Sequence, residues 1–420
     1  MMIESMARNH KTVFVGMSGG VDSSVAAFLL QKQGYNVVGI FMRCYNIDGC
    51  ADRDAEDARR VAEHIGIPFY VWDFEEEYKN RVVDYMVDGY RAGITPNPDV
   101  MCNKEIKFGL FFEKARAMGA DYVATGHYVR LSRTNIQYPI SNTQQKQERK
   151  KLEIGNWKLE IAKDVNKDQS YFLWTLTEEQ LRYCLFPIGD YLKPKVREIA
   201  RKAKLPTADK KDSQGICFLG MVDVFDFLKQ YIPEHRGALI TTSGETVGEH
   251  FGSEFYTIGQ RHIDADFKFP KSGAIARKPF YVAGKNPATN TVMVAEGNEN
   301  PALYKKEVKL TDLHFIDPLF ANSFKLTSKG VPVLARVRYR QPLAKAILVR
   351  ENEERRKKKD VWLLTFDQPQ KFIAPGQSAV FYLPRSPRLR SGEAGRRSRG
   401  AKAGDKEKIM LGGGVILQGV

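Results

Sequence analysis

The densest chemical signal in the sequence is Ser18-Gly19-Gly20-Val21-Asp22-Ser23-Ser24. It lies where a short apolar strand, Thr12–Gly16, meets residues with helical spacing, Asp22–Lys32. Paired glycines let an anion approach the backbone, and a helix start offers free N–H groups and a partial positive charge. Ser18, Ser23 and Ser24 add hydroxyls. The Gly-Lys-Ser/Thr ending of a kinase-type phosphate loop is missing. The plain alternative is a glycine turn capped by Asp or Ser, and the complete strand–loop–helix context argues against it.

Thiols supply the second signal. Cys102 lies in Asn97-Pro98-Asp99-Val100-Met101-Cys102-Asn103-Lys104, ahead of an expected helix over Lys104–Met118. A thiol near a helix N-terminus with Lys104 close by is expected to have a lowered pKa. Cys217 lies in Asp212-Ser213-Gln214-Gly215-Ile216-Cys217-Phe218, where Gly215 suggests a bend and some exposure. Taken singly, each cysteine reads more readily as a buried structural residue. Beside the glycine loop they suggest a reactive pair. The other cysteines, Cys44, Cys50 and Cys184, read as non-catalytic. The total is odd, the spacing wide and no CxxC occurs, which excludes a disulfide scaffold and a zinc ribbon.

The elements that must hold these groups alternate. Strand patterns at Thr12–Gly16, Val37–Met42, Phe69–Trp72 and Asp121–Thr125 are separated by helical ones at Asp22–Lys32, Asp52–Ile65, Glu75–Arg91 and Lys104–Met118. That order predicts a parallel sheet covered on both faces, with ligands beyond the strands' carboxyl ends. Helical patterns resume over Thr177–Lys204. From about Thr241 short β-rich runs take over, including Phe280–Ala283, Thr291–Ala295, Val333–Arg340 and Val361–Phe366, which predict an all-β part such as a small barrel.

At 420 residues, 43% hydrophobic and 27% charged, the chain has the composition of a globular protein of two or three domains. No apolar run approaches the ~20 residues that span a bilayer. Met1–Lys11 lacks the apolar core of a signal peptide, so a cytoplasmic protein without membrane attachment is expected. The net charge of +15 favours a polyanionic partner. Much of it sits in two stretches that read as loops: Leu383–Met410, with nine Lys or Arg against three acids, and Ser132–Lys158, with six against two. Arg338 and Arg340 alternate with Val337 and Tyr339, which predicts both arginines on one strand face, open to phosphate or to water.

The loop Ser18–Ser24 resembles the pyrophosphate loop of the PP-loop ATPase superfamily, which cleaves ATP between the α and β phosphates and transfers AMP to an oxygen. The likeness becomes specific over the whole chain. Thr95–Phe108, Ala124-Thr125-Gly126-His127-Tyr128, Asn166–Leu173, Lys211–Phe218, Tyr256-Thr257-Ile258-Gly259-Gln260-Arg261, Arg338–Gln341 and Pro375-Gly376-Gln377 together resemble the MnmA family of bacterial tRNA-specific 2-thiouridylases.

The resemblance implies an α/β PP-loop domain (1–213), a small central domain (214–284) and an all-β C-terminal barrel (285–420). It implies ATP at Gly16, Met17, Ser18, Gly19, Gly20, Val21, Asp22, Ser23, Met42 and Gly126, with Mg2+ held near Asp22 and no resident metal site. It implies Cys102 as nucleophile, Cys217 as persulfide carrier and Asp99 as general acid/base. Asn97, Pro98 and Asp99 would lie by the target base, and His127, Lys167, Asp168, Gln169, Arg338, Tyr339 and Gln377 would contact tRNA. Partners would be tRNAs for Lys, Glu and Gln and a persulfide donor, either a sulfur-carrier protein or a cysteine desulfurase. Read without the resemblance, His127 is equally a structural histidine, and Asp168 and Gln169 equally cap a helix. Cys102, Cys217 and Asp99 also leave open an iron–sulfur cluster. Two other classes remain: an adenylating small-molecule ligase, and an RNA-binding protein that retains an ATP loop. The chain departs from the family at Arg43-Cys44-Tyr45 and in the two basic insertions.

Overall fold

The computed structural model describes residues 11–45, 49–134, 156–212, 222–268, 278–318, 330–351, 360–384 and 408–418. Cys217 and most of both basic insertions lie outside the described residues.

Strands β1 (Thr12–Gly16), β2 (Asn36–Arg43), β3 (Phe69–Asp73) and β4 (Tyr122–Thr125) appear where the sequence predicts them. The ribbon β5 (Val129–Thr134) and β6 (Asn156–Ile161) then turns what reads as one loop over Ser132–Lys158 into paired strands at its ends. A two-residue strand β7 (Cys184–Leu185) completes a parallel sheet of order β3-β2-β1-β4-β7. Alternation along β1 feeds two separate cores: Phe14 packs with Trp72, Tyr78 and Phe111, whereas Val13 and Val15 pack with Val25, Ala58 and Val61. These last three belong to helices α1 (Val21–Lys32) and α2 (Cys50–Ile65), so the sheet is covered on both sides, as parallel sheets require.

The central unit is a sheet of order β10-β9-β8-β12-β11, built from β8 (Gly237–Thr241), β9 (Thr246–His250), β10 (Ala265–Phe267), β11 (Phe280–Asn286) and β12 (Thr291–Glu296). The expected boundary at 284/285 cuts β11, because β12 returns to pair in parallel with β8, a contact no local pattern announces. The last unit is a closed barrel of order β13-β16-β15-β14-β17-β18, comprising β13 (Tyr304–Phe315), β14 (Val331–Arg336), β15 (Ala344–Arg350), β16 (Trp362–Lys371), β17 (Ser378–Tyr382) and β18 (Met410–Ile416). β14 ends at Arg336, four residues short of the expected run, and Arg340 adopts a left-handed φ of 63° in the turn beyond it. Arg338 and Arg340 therefore stand on a turn and share no strand face.

Every residue of β17 is buried, because one side of that strand lines the barrel and the other meets the first domain. Tyr171 Oη donates to Ser378 O at 2.9 Å, and Trp174 Nε1 donates to Ser378 Oγ at 3.0 Å. Two buried ion pairs cross the same seam, Asp168 with Arg336 and Lys158 with Asp317.

Removing one partner of a buried pair strands the other charge, at a cost of about 3–5 kcal/mol. Arg336→Met is therefore expected to lose stability on that scale in urea unfolding. Asp168→Leu combined with Arg336→Met is expected to lose less than Arg336→Met alone. If the double variant is the weaker, the seam is not held by this pair.

Candidate active site

At the end of β1 the chain turns through Met17–Gly20 into α1, and Gly20 provides no side-chain cap. The first-turn N–H groups are thus left for a ligand, contrary to the capped-turn alternative. Gly19 has φ 70°, and a β-carbon there would stand 2.3 Å from Asp54 O of α2, so only glycine fits. The loop is braced from within. Ser18 N donates to Ser23 Oγ at 3.1 Å, and Ser24 Oγ donates to Gly20 O at 2.7 Å. Met42 ends near Gly16, and Gly126 closes against Ser23 N. Gly16, Met42 and Gly126 thus mark the carboxyl ends of three neighbouring parallel strands, where such sheets take ligands.

Asp22, in the first turn of α1, is held by groups that the sequence reading missed. Lys193 Nζ lies 2.8 Å from both carboxylate oxygens, and Tyr128 Oη donates to Oδ1 at 2.9 Å. The same ammonium lies 2.9 Å from Asp212 Oδ1, and Asp212 also binds Lys167 at 2.6 Å and Arg197 at 2.6 Å. Burial pushes the Asp212 carboxyl up, but hydrogen bonds from Lys167 and Lys193 outweigh it and hold its pKa at about 2. Lys193 opens the helix Lys193–Lys202, where a cation opposes the helix dipole, and it is nearly buried. A lysine followed by proline at a helix start was the one sequence signal for it. On the other side, Lys210 Nζ bridges Asp54 and Asp57 at 2.7 and 2.6 Å, and Thr207 donates to Ser24. The loop is therefore ringed by ammonium groups, each parked on carboxylates. Mg2+ commonly takes one or two carboxylates plus phosphate oxygens, a pattern Asp22 fits. Among the described residues no group of three His, Cys, Asp or Glu gathers as a protein-only metal site.

The segment Thr95–Asp99 is positioned from three sides. Thr95 N donates to Pro375 O at 2.8 Å, Gln377 Nε2 donates to Thr95 O at 2.9 Å and to Pro96 O at 3.1 Å, and Thr95 Oγ1 lies 3.3 Å from Thr257 Oγ1. Gln377, expected at tRNA, thus holds the loop beside Asn97. A helix begins at Pro98, six residues before the expected Lys104, and Asn97 Oδ1 caps it by accepting from Val100 N at 3.2 Å. Cys102 is consequently one turn inside the helix, at the start of a π-helical stretch Cys102–Leu110, and it is buried. Lys104 is exposed and paired with Glu105. Asp99 is partly buried. Cys44 is half-buried, and burial pushes the Cys184 thiol well up, which suppresses its thiolate.

The other expected RNA contacts are placed unevenly. Asp168 is buried against Arg336, where an RNA phosphate has no access. Gln169 accepts from Tyr128 N at 2.9 Å through its side chain. His127 is buried, bonded to Thr125 Oγ1 at 2.8 Å, and burial, aided by the Lys107 charge, lowers its pKa well below 6.5. Lys167, Arg338 and Tyr339 are partly exposed.

The architecture defines a class: a HUP-type nucleotide domain followed by two β-domains. Family models match in that order, as tRNA methyl transferase HUP domain over 11–221, tRNA methyl transferase PRC-barrel domain over 225–296 and aminomethyltransferase beta-barrel domain over 305–386. The chain is 43% identical over 388 residues to the tRNA-specific 2-thiouridylase MnmA of Levilactobacillus brevis, covering 90% of this chain and 94% of that one. It is 42% identical over 385 residues to the protein of the same name from Staphylococcus epidermidis, covering 90% and 93%. The chain belongs to the bacterial tRNA-specific 2-thiouridylase (MnmA) family. Among the described residues no helix is long and apolar enough to cross a membrane.

Two outcomes are expected here. A charge-assisted hydrogen bond contributes about 1.5–3 kcal/mol, so Lys193→Met should weaken ATP binding roughly tenfold or more while AMP binding changes little. Equal losses for both nucleotides would mean general damage to the site. His127 stays neutral in the fold, whereas an unfolded histidine protonates near pH 6.5. Its contribution is complete above that pH and is lost as pH falls through the lower folded pKa. Wild-type stability should therefore decline below about pH 6.5, and His127→Gln should remove up to about 1.4 kcal/mol per pH unit of that slope. An unchanged slope in denaturant titrations would count against a buried neutral imidazole.

Proposed function

We propose that the protein is an ATP-dependent tRNA 2-thiouridylase acting on the wobble uridine. The observation that carries the reading is the uncapped start of α1 behind Gly19, with Asp22 in its first turn, in a chain of this family. ATP lies with its phosphates on Met17–Ser23. Asp22, released from Lys193, is the residue to hold Mg2+, which when bound offsets phosphate charge. The target uridine is turned out of its stack toward Asn97–Asp99. Its C2 oxygen attacks the α-phosphate, pyrophosphate leaves, and the oxygen departs later as part of AMP. Asp99 serves as general acid/base.

Sulfur reaches C2 from a persulfide on Cys217. Cys102 attacks the Cys217 sulfur, the terminal sulfur stays on the base, and a Cys102–Cys217 disulfide remains for an external thiol to reduce. Cys102 is buried, so substrate or the persulfide must open the site before its sulfur can attack. On the same resemblance we assign tRNAs for Lys, Glu and Gln as substrates, a sulfur-carrier protein or cysteine desulfurase as donor, and the cytoplasm as location. Methyl transfer, named in the family models' descriptions, would leave the pyrophosphate loop without a use.

The test uses the full chain, tRNA, ATP and a labelled persulfide donor. Wild type should release pyrophosphate only with tRNA present, and Asp22→Ala should abolish that release while still binding tRNA. Cys217→Ser should adenylate tRNA but accept no label. Cys102→Ser should accept and hold the label with little transfer. Release of ADP and phosphate would overturn adenylation. Two cysteine variants that behave alike, both losing bound iron, would replace the persulfide scheme with a cluster. Pyrophosphate release driven by a small molecule instead of tRNA would mark a ligase.

A further inference from the structure

The motif Tyr256-Thr257-Ile258-Gly259-Gln260-Arg261 has no role in the reaction just described, yet it sits where the three domains meet. Its backbone is fixed on itself and on β11. Gly259 N donates to Val282 O at 2.7 Å, Val282 N donates to Gln260 O at 3.0 Å, and Thr257 N donates to Gln260 Oε1 at 3.1 Å. Partly buried Lys285 braces it from below, donating to Tyr256 O at 2.7 Å. Through Thr257 the loop touches Thr95, two residues ahead of Asn97–Asp99. Through Gly259 it meets the turn after β14: a β-carbon there would stand 2.5 Å from Arg338 Nη1 and 2.6 Å from Phe372.

Three arginines lie on the two segments that meet here. Arg338 is half-buried over the Phe372 ring, 5.7 Å from its centroid. Arg340 is exposed and lies 5.2 Å from the centroid of Tyr339, whose ring in turn packs on Phe172 at 4.5 Å. Arg261 is exposed two residues beyond Gly259. None of the three has a carboxylate partner among the described residues. Several exposed arginines elsewhere do: Arg59 pairs with Glu56, Arg201 with Asp209, Arg236 with Asp266 and Arg350 with Asp360. Burial lowers the Arg338 pKa with no carboxylate to offset it, so a phosphate at this point would meet a desolvated guanidinium at close range. Guanidinium groups with planar donors beside aromatic rings suit a nucleic-acid backbone.

We propose that Arg261 and Arg340 join Arg338 in one phosphate-binding surface for the tRNA backbone, so that the central domain grips the RNA directly beside the loop that receives the target base. This rests on tRNA being the substrate. The unpaired charges make binding here sensitive to salt, and the rigid loop fixes where the backbone runs relative to Asn97–Asp99.

The test measures the affinity of the full chain for an unmodified tRNA transcript over a salt series. Arg261→Gln and Arg340→Gln should each weaken binding roughly 3–10-fold near physiological salt. Each should also lower the slope of log affinity against log salt by about 0.7–0.9, the value for one lost phosphate contact. Arg236→Gln removes an equal charge from the same domain, but one already paired, and should change affinity by less than about twofold. In turnover the loss should fall on KM for tRNA and leave KM for ATP. The proposal is overturned if Arg261→Gln matches Arg236→Gln, or if its affinity falls with no change in salt slope. A wild-type chain that binds tRNA with these slopes but does not thiolate it would remove the functional reading and keep the surface. A chain that thiolates while both variants bind as wild type would do the reverse.

Discussion

The tripeptide Lys167-Asp168-Gln169 is the constraint on which most of the molecule turns, and the buried Asp168–Arg336 pair is its anchor. Asp168 Oδ1 accepts from Ala162 N at 3.1 Å and its Oδ2 accepts from Ser170 Oγ at 2.8 Å, while Arg336 also reaches Tyr382 Oη. Ion pairs of this kind add little net stability after desolvation, and Arg336 Nε is left without a partner, which adds to the cost. They instead leave few alternatives: any slip between the first domain and the barrel would strand a charge. With Asp168 fixed, its neighbours are fixed too. Lys167 is delivered to Asp212 in the network around Asp22, and Gln169 to the backbone of Tyr128. One short segment thus sets the barrel, the nucleotide network and the strand end at His127 in a single register.

The barrel in turn sets the Thr95–Asp99 loop. Pro375 and Gln377 hold Thr95 and Pro96 from one side and Thr257 holds Thr95 from another. A helix that starts at Pro98 with an Asn97 cap then carries Cys102 inward. The β-domains therefore also position a loop of the first domain. Without them the Thr95–Asp99 loop would lack these hydrogen-bond partners, and the position of Cys102 would be set by a free loop.

What was legible in the sequence was local. The glycine loop declared itself because its function needs a backbone that only glycine tolerates, as Gly19 shows. Strands β1, β2 and β4 were legible because buried parallel strands read as apolar runs; β3, at the sheet edge with Tyr70 and Val71 exposed, was legible from its apolar and aromatic run alone. Pairings distant in sequence were not. Asp168 resembled a surface contact because its partner lies 168 positions away. Gln377 and Thr95, 282 positions apart, gave no mutual signal. The Cys102 helix starts earlier than the expected Lys104 for a different reason: Asn97-Pro98 is a cap followed by an N1 proline, a helix start in its own right. Arg338 and Arg340 were set on a strand because alternation does not mark where a strand ends, and Arg340 has left it with a positive φ.

The charge of +15 is likewise uninformative until each cation is assigned a neighbour. The lysines around the ATP loop are all engaged: Lys193 by Asp22 and Asp212, Lys167 by Asp212, Lys210 by Asp54 and Asp57. A lone phosphodiester carries a single charge and competes poorly for an ammonium already held by one or two carboxylates at close range. A triphosphate carries several charges at one spot and competes well. The arginines at the three-domain junction face no such competition. The same protein must hold two kinds of polyanion a short distance apart. Keeping one set of cations paired and the other open separates a site selective for dense phosphate from a surface open to a nucleic-acid backbone, using charge spacing alone.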